Sequence, residues 1–284
     1  MGSVEDCPAL FRIRRSHDGR RRGLPIQVIY AITQRLARTA RQNRAVTDAG
    51  TDLCSLVLPS IARTALAQPR VESIDHHEVA VPTVWWNAAL AHYRLPGGPV
   101  SGRTSHGGRT VISRGQLFAL ASDADLESEH DVLRLLWHIL AWGSGFKLRH
   151  NHKRLRGIAK DPLAAAATLR AAAFLARIDP ESAYAKLYRA TGTPIPHLGP
   201  AFFTKYLYFA GGGFPTHPST ILDSRVAHTL HTRCGWTSLR SGGNWPPRTY
   251  QRYCSLLARW AAEESAHLGR EVGPDEIERW LFGA

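Results

Sequence analysis

The stretch TGTPIPHLGP, residues 191–200, connects two segments whose apolar residues have helical spacing. Gly199 and Pro200 suit a tight turn that leads directly into the N-terminus of a helix. Backbone N–H groups are unpaired at such a turn and lie at the positive end of the helix dipole, so they can bind a phosphate. We therefore predict a helix-hairpin-helix unit here, although an ordinary connection between two helices would fit the same residues.

Nearly every other periodic segment of the 284-residue chain also has helical spacing, which predicts an all-α fold. Ser113, Asp161 and Asp179 are predicted to cap helices at their N-termini. We predict a basic N-terminal arm over residues 1–22, a helical region over residues 23–125, and a core with the hairpin over residues 126–284. Part of the segment before that core, PGGPVSGRTSHGGR, reads as a glycine-rich loop.

The charge of the chain favours a polyanionic partner. Lysine and arginine number 36 against 23 aspartate and glutamate residues, which gives a formal net charge of +13. Nucleic acid is the partner that such an excess indicates. A generally basic composition would give the same charge without that partner, and the arginine-rich arm could equally be a solvated tail.

The composition also argues against several classes of protein. No run of 18 apolar residues is present, so we expect no membrane span. The first residues lack the apolar core of a signal peptide, which favours a cytoplasmic location. Cys7, Cys54, Cys234 and Cys254 form no CxxC pair, so we expect free thiols rather than a zinc or iron–sulfur site. His76, His77 and Glu78 are expected in a surface loop, and we predict no metal and no cofactor.

One lysine and one aspartate form a candidate catalytic pair. Lys205 lies in an otherwise aromatic and aliphatic helix, and Asp223 follows at a predicted N-cap in HPSTILDSRVAHTL. Desolvation penalises the ammonium form of a buried lysine, so such a group can attack as a neutral amine. An aspartate at a helix N-terminus stays ionised and can stabilise a cationic sugar or move a proton.

The motif IPHLGPAFFTKYLYFAG…HPSTILDSRVA resembles the helix-hairpin-helix DNA glycosylase superfamily, in particular its bacterial 8-oxoguanine DNA glycosylase type. The resemblance implies two packed helical subdomains with a DNA cleft between them. It also implies that Lys205 attacks C1′ of the flipped nucleotide, that Asp223 assists, and that His197, Gly199 and Ala201 contact DNA at the hairpin.

The chain departs from the family pattern at two of these positions. His197 stands where the family has glycine, and Ala201 stands where the family has its lysine. Lys205 is one turn further along, a shift of about 6 Å on the same helical face. In the alternative interpretation, Lys205 contacts a phosphate and Asp223 activates water by itself.

The basic segment LAWGSGFKLRHNHKRLRG, residues 140–157, resembles by position the loop that family members push into the duplex. The alternative is a generic basic loop. Three groups of residues are assigned by prediction: a wedge of Arg149, His150 and Asn151, phosphate contacts from Lys147, Lys153 and Arg154, and a base pocket of Trp142, Phe146, Phe202, His228 and Phe282.

The resemblance leaves the excised base open. A hypermodified cytosine of phage DNA, such as glucosylated hydroxymethylcytosine, is one candidate, and 8-oxoguanine is the other. We expect double-stranded DNA with a modified base as the partner and no obligate protein partner. Two other functions fit the sequence: a non-catalytic helix-hairpin-helix DNA-binding protein, and a lyase that acts only at abasic sites.

Overall fold

Helices make up most of the part of the chain that the structure describes, in agreement with the predicted all-α class. The computed structural model describes residues 52–124, 128–189 and 194–284, which belong to one compact unit spanning residues 50–284. The predicted arm, residues 1–22, lies outside the described residues. The predicted boundary at residues 125 and 126 does too, so the division into regions stays a prediction.

The described elements begin with a 3₁₀ helix, a short α-helix and a single π-helical turn, and then mix helices with short strands. Their bounds are 3₁₀ Leu53–Ser55, α1 Ala62–Leu66, π Val71–Asp75, β1 Glu78–Ala80, α2 Thr83–His92, β2 Arg103–Thr104, β3 Thr110–Ser113, α3 Arg114–Asp123, α4 Glu129–Ser144 and α5 Asn151–Ile158. The remaining elements are α6 Pro162–Ala176, α7 Pro180–Leu187, α8 Pro200–Phe209, α9 Ser224–Arg233, α10 Pro247–Leu268 and α11 Pro274–Gly283.

The predicted helix caps are confirmed. Ser113 Oγ accepts a hydrogen bond from the backbone N–H of Gln116, and Gln116 Oε1 accepts one from the backbone N–H of Ser113. Asp161 and Asp179 cap α6 and α7, each followed by a proline at the first helical position. These side chains satisfy backbone N–H groups that have no partner within the helix.

A small antiparallel sheet with the strand order β1-β3-β2 departs from the helical prediction. Val79 lies opposite Ile112 in this sheet, and Ile112 is buried. Strand β2, Arg103–Thr104, lies within the expected glycine-rich loop, so that part of the loop is strand instead. The β-branched run TVIS that follows at residues 110–113 fits a pleated, half-buried surface. At Gly102, a Cβ atom would meet the carbonyl oxygen of Val111, which explains why glycine is needed beside β3.

The core centres on α4, whose residues Leu135, Leu136 and Trp137 are completely buried. Helix α8 packs against α4, and the C-terminal helices α10 and α11 pack against each other. None of the described helices combines the length and the apolar character needed to cross a membrane.

Candidate active site

A cavity of about 450 Å³ lies between the sheet, α4, α8 and α11, and both predicted catalytic residues line it. Its walls are formed by His77, Val79, Ala80, Arg114, Trp142, Gly143, Ser144, Gly145, Phe146, Lys147, Lys205, Ile221, Asp223, Glu278 and Phe282. The volume falls within the range of small-molecule sites in proteins.

Lys205 and Asp223 form an ion pair in this cavity. Lys205 Nζ lies 3.3 Å from Asp223 Oδ2, and the two residues are only 7% and 8% exposed. The same Nζ donates to the carbonyl oxygen of Ala201 at 2.9 Å. The lysine side chain therefore runs back by one turn towards the N-terminus of α8, as helical side chains do.

Gly143 on α4 leaves room for this side chain. A Cβ atom at Gly143 would lie 3.1 Å from Lys205 Cδ, closer than ordinary van der Waals contact. A larger residue at this position would therefore require the Lys205 side chain to move.

Asp223 is held as the predicted N-cap of α9. Its Oδ1 atom accepts hydrogen bonds from the backbone N–H groups of Arg225 at 3.0 Å and Val226 at 3.2 Å. Thr204 Oγ1 accepts from the N–H of Leu222 at 3.2 Å and so ties α8 to the segment before Asp223. One carboxylate oxygen is thus fixed by the helix, and the other faces Lys205.

A second ion pair in the cavity wall was not predicted from the sequence. Arg114 Nη1 lies 2.9 Å from Glu278 Oε2, and both residues are 1% exposed. Burial alone would lower the pKa of Arg114, but Glu278 and Tyr208 more than reverse that effect. Burial raises the pKa of Glu278, and the positive charge of Arg114 offsets part of that rise. The sequence carried one local signal for Glu278: it lies four residues before Phe282 on α11, so the two side chains share one face of the helix.

His77 also belongs to the cavity wall, so its predicted place in a surface loop is wrong. Its ring contacts Trp142 edge to face, and its Nδ1 accepts from Arg114 Nε at 3.2 Å. Burial, with Arg114 and Arg279 nearby, lowers the pKa of His77 to about 3. The ring is therefore neutral at pH 7, and the hydrogen-bond geometry assigns its proton to Nε2.

Two buried polar atoms of the cavity residues have no hydrogen-bond partner among the described residues. They are Glu278 Oε1, an acceptor, and Trp142 Nε1, a donor. Buried polar groups are normally paired, so these two atoms are available to a ligand. The cavity therefore offers one acceptor and one donor beside Lys205 and Asp223.

The predicted base-pocket residues separate into two groups. Trp142, Phe146 and Phe282 line the cavity, with Phe146 61% exposed. Phe202 does not line it and lies instead under the guanidinium of Arg154, 3.9 Å from Cζ to the ring centroid. His228 lines a separate depression of about 370 Å³, so the structure does not place Phe202 or His228 at the base site.

The basic segment is partly helical, because α5 begins at Asn151. Lys147, Arg149, His150 and Lys153 are exposed, as DNA contacts require. Asn151 is completely buried and donates to Ser144 Oγ at 3.1 Å. In this arrangement Asn151 is unable to insert into a duplex, which corrects its predicted role as part of the wedge.

Arg154 supports the hairpin rather than facing solvent. It is 7% exposed, and its Nε donates to the carbonyl oxygen of His197 at 3.0 Å. This corrects the expectation of a free phosphate contact. His197 has a φ of +64°, in the region that glycine favours and that histidine tolerates better than most residues, which explains how it replaces the family glycine. Among the described residues, no atom lies within 4 Å of a Cβ placed at Gly199, so they leave the backbone there open to a ligand.

The described residues contain no cluster of three histidine, cysteine or acidic side chains arranged for a metal ion. Cys54, Cys234 and Cys254 are free thiols, and Cys7 lies outside the described residues.

Comparison with known proteins decides the family. A family model described as "Putative 8-oxoguanine DNA glycosylase OGG-like protein" matches residues 72–282. The chain belongs to this family. The match spans every residue of the cavity wall, including those that the motif did not reveal. Membership of the OGG-like family supports a DNA glycosylase-type function with DNA as the partner. Searches of curated proteins and of solved structures gave no match.

Proposed function

We propose that this OGG-like protein is a DNA glycosylase that flips a modified base into the cavity and breaks its N-glycosidic bond with Lys205 and Asp223. The observation that carries this proposal is the contact between Lys205 Nζ and Asp223 Oδ2 in the wall of a cavity large enough for a ligand. The basic segment begins in the wall of that cavity, and its exposed lysine and arginine side chains provide cations for the phosphates of DNA.

The proposed reaction uses the two side chains in different ways. Lys205 passes one ammonium proton to the departing base, its neutral amine attacks C1′, and the electron pair of the glycosidic bond leaves with the base. Asp223 stays ionised, and its Oδ2 atom stabilises the positive charge that develops on the sugar. Opening of the sugar ring then gives a Schiff base on Lys205, from which strand cleavage by β-elimination can follow. The low exposure of Lys205 favours this role over a surface phosphate contact.

A hypermodified cytosine of phage DNA is the base that we propose first, with a role in antiviral defence. The unpartnered carboxylate oxygen of Glu278 supports this choice, since carboxylates accept hydrogen bonds from the amino group of cytosine. The second candidate is 8-oxoguanine, which the description of the family favours. Its N–H groups would also suit Glu278, so the freed base has to be identified directly.

The decisive experiment presents three duplexes, each with one glucosylated hydroxymethylcytosine, 8-oxoguanine or uracil, and identifies the freed base by mass. Borohydride in parallel reactions would trap the Schiff base. We expect a trapped adduct with the wild type and with Lys160→Ala, an exposed lysine outside the cavity, and no adduct with Lys205→Ala.

The possible failures separate the alternatives. Full base release by Lys205→Ala without an adduct would remove the lysine from the mechanism and leave Asp223 to activate water. Cleavage of an abasic duplex without release of any base would indicate a lyase. Salt-sensitive binding without any product would leave a non-catalytic DNA-binding protein.

A further inference from the structure

A second cavity, of about 710 Å³, adjoins the first one at His77, which lines both. The two cavities lie side by side along the same elements. On β1, Val79 faces the first cavity and Glu78 the second, and on α11, Glu278 faces the first and Arg279 the second. His77 is thus common to both cavities, and the second cavity lies next to the space that a base would occupy in the first.

The second cavity contains polar atoms that are available to a ligand. Arg279 Nε is buried and has no hydrogen-bond partner among the described residues. His77 carries its proton on Nε2, which pairs with nothing in the described ranges 52–124, 128–189 and 194–284. A buried donor without a partner costs free energy, and a ligand with oxygen acceptors would recover that cost.

The remaining walls restrict the chemistry of the ligand. Glu72, Glu78 and Glu276 line the cavity together with Arg233 and Arg279. Because charges of both signs are present, the wall selects neither an anion nor a cation. Trp280 and Leu66 supply apolar surface beside these polar groups. A neutral polyhydroxyl group fits this mixture, because each hydroxyl both donates and accepts while the carbon faces of a sugar ring pack on an indole.

We propose that the second cavity is a subsite for a hexose-sized polyhydroxyl substituent carried by the flipped base, with His77 between the base and the substituent. This inference rests on the proposed function, since it assumes that a base enters the first cavity. It makes the enlarged cytosine a better substrate than the same cytosine without its sugar.

The test compares two duplexes that differ only in whether one hydroxymethylcytosine carries glucose. Ala65 is exposed and lines the second cavity, so Ala65→Phe would fill that cavity without disturbing the core. We expect Ala65→Phe to lower the ratio of kcat/KM for the glucosylated over the unglucosylated duplex by about tenfold. Arg279→Met, which removes the unpartnered donor, should lower the ratio to a similar extent. Ala167→Phe, at an exposed position of α6 outside both cavities, is the matched control.

Each outcome bears on the subsite. The subsite is refuted if the wild type does not prefer the glucosylated duplex, or if Ala65→Phe and Ala167→Phe leave the same ratio. If the wild type releases no base from either duplex, the proposed function fails, and the dissociation constants of the two duplexes decide about the subsite. Tighter binding of the glucosylated duplex that Ala65→Phe abolishes would support the subsite, whereas equal binding would refute it.

Discussion

The side chain of Lys205 runs back along α8 towards the N-terminus of the helix. Its Nζ is hydrogen-bonded to the carbonyl oxygen of Ala201, one turn earlier on α8. Cα–Cβ bonds in a helix point towards the N-terminus, so a long side chain naturally covers the preceding turn. Lys205 Nζ therefore reaches back to the first turn of α8, and Gly143 leaves the space that this path requires.

The lowered pKa of His77 predicts that the stability of the protein depends on pH. Its pKa is about 3 in the folded protein against an ordinary value of 6.5, so between these values the unfolded state binds more protons. Stability therefore rises with pH across this window and falls as the solution is acidified. We expect the wild type to lose about 1–2 kcal/mol more of its free energy of unfolding than His77→Asn between pH 7 and pH 4.5, allowing for partial exposure.

Urea unfolding of both proteins at several pH values measures this difference. Asparagine keeps an acceptor for Arg114 but does not titrate, which makes the variant a matched control. His138 and His217, whose pKa values burial also lowers, are present in both proteins and cancel in the comparison. Parallel pH profiles for the two proteins would show that His77 is not the neutral, buried group described above.

At the scale of the element, α5 supports the turn of the hairpin through Arg154. Burial lowers the pKa of Arg154 to about 10, which still leaves it charged at neutral pH. The guanidinium covers the ring of Phe202 and binds the carbonyl oxygen of His197. A cation in this position fixes the backbone that leads into α8, so the basic segment contributes to DNA binding partly by shaping the hairpin.

Substitutions of Arg154 and Lys153, neighbours on α5, should therefore differ in their effects on stability and on the salt dependence of DNA binding. Arg154→Gln should lower the free energy of unfolding by about 2 kcal/mol, because its hydrogen bonds and its contact with an aromatic ring are lost. It should leave the slope of log Kd against log[salt] for duplex DNA unchanged. Lys153→Gln, at an exposed position, should leave stability unchanged and reduce the magnitude of that slope by about 0.9.

Denaturant unfolding and DNA titrations at four salt concentrations provide both quantities. The assignment of Arg154 fails if Arg154→Gln reduces the salt slope as much as Lys153→Gln does, since that result would mean a direct phosphate contact.

The elements also show which parts of the structure the sequence reveals. Helix caps, the hairpin turn and the position of Asp223 were predictable because their signals lie within four residues of each other. The strands around Gly102 were not, since strand pairing depends on residues distant in sequence. The same limit applies to the cavity, where Arg114 and Glu278 meet across 164 positions with no local sign of their contact.

At the scale of the whole molecule, arginines repeatedly join the first described segment to the C-terminal helices. Arg63 pairs with Glu264, Arg70 with Asp275 and Arg114 with Glu278. Arg70 and Arg114 also meet through Tyr208, which donates to Asp275 and accepts from Arg114. The wall of the candidate cavity is thus part of the network that closes the fold, so the proposed base site and the stability of the fold share the Arg114–Glu278 pair.

The buried pair at the end of this network gives the last prediction. Arg114→Met should lower the free energy of unfolding by about 3–5 kcal/mol, because it leaves Glu278 buried without a counter-charge. Adding Glu278→Leu removes that uncompensated charge, so the double variant should be about 2–3 kcal/mol more stable than the summed losses of the two single variants would give.

The exposed pair Arg103 and Glu78 is the control, and its coupling energy should not exceed about 1 kcal/mol. Urea unfolding of both double-mutant cycles measures the two energies. Equal coupling in the two pairs would mean that solvent reaches Arg114 and Glu278, and the cavity wall would then lack the rigidity that the proposed base site needs.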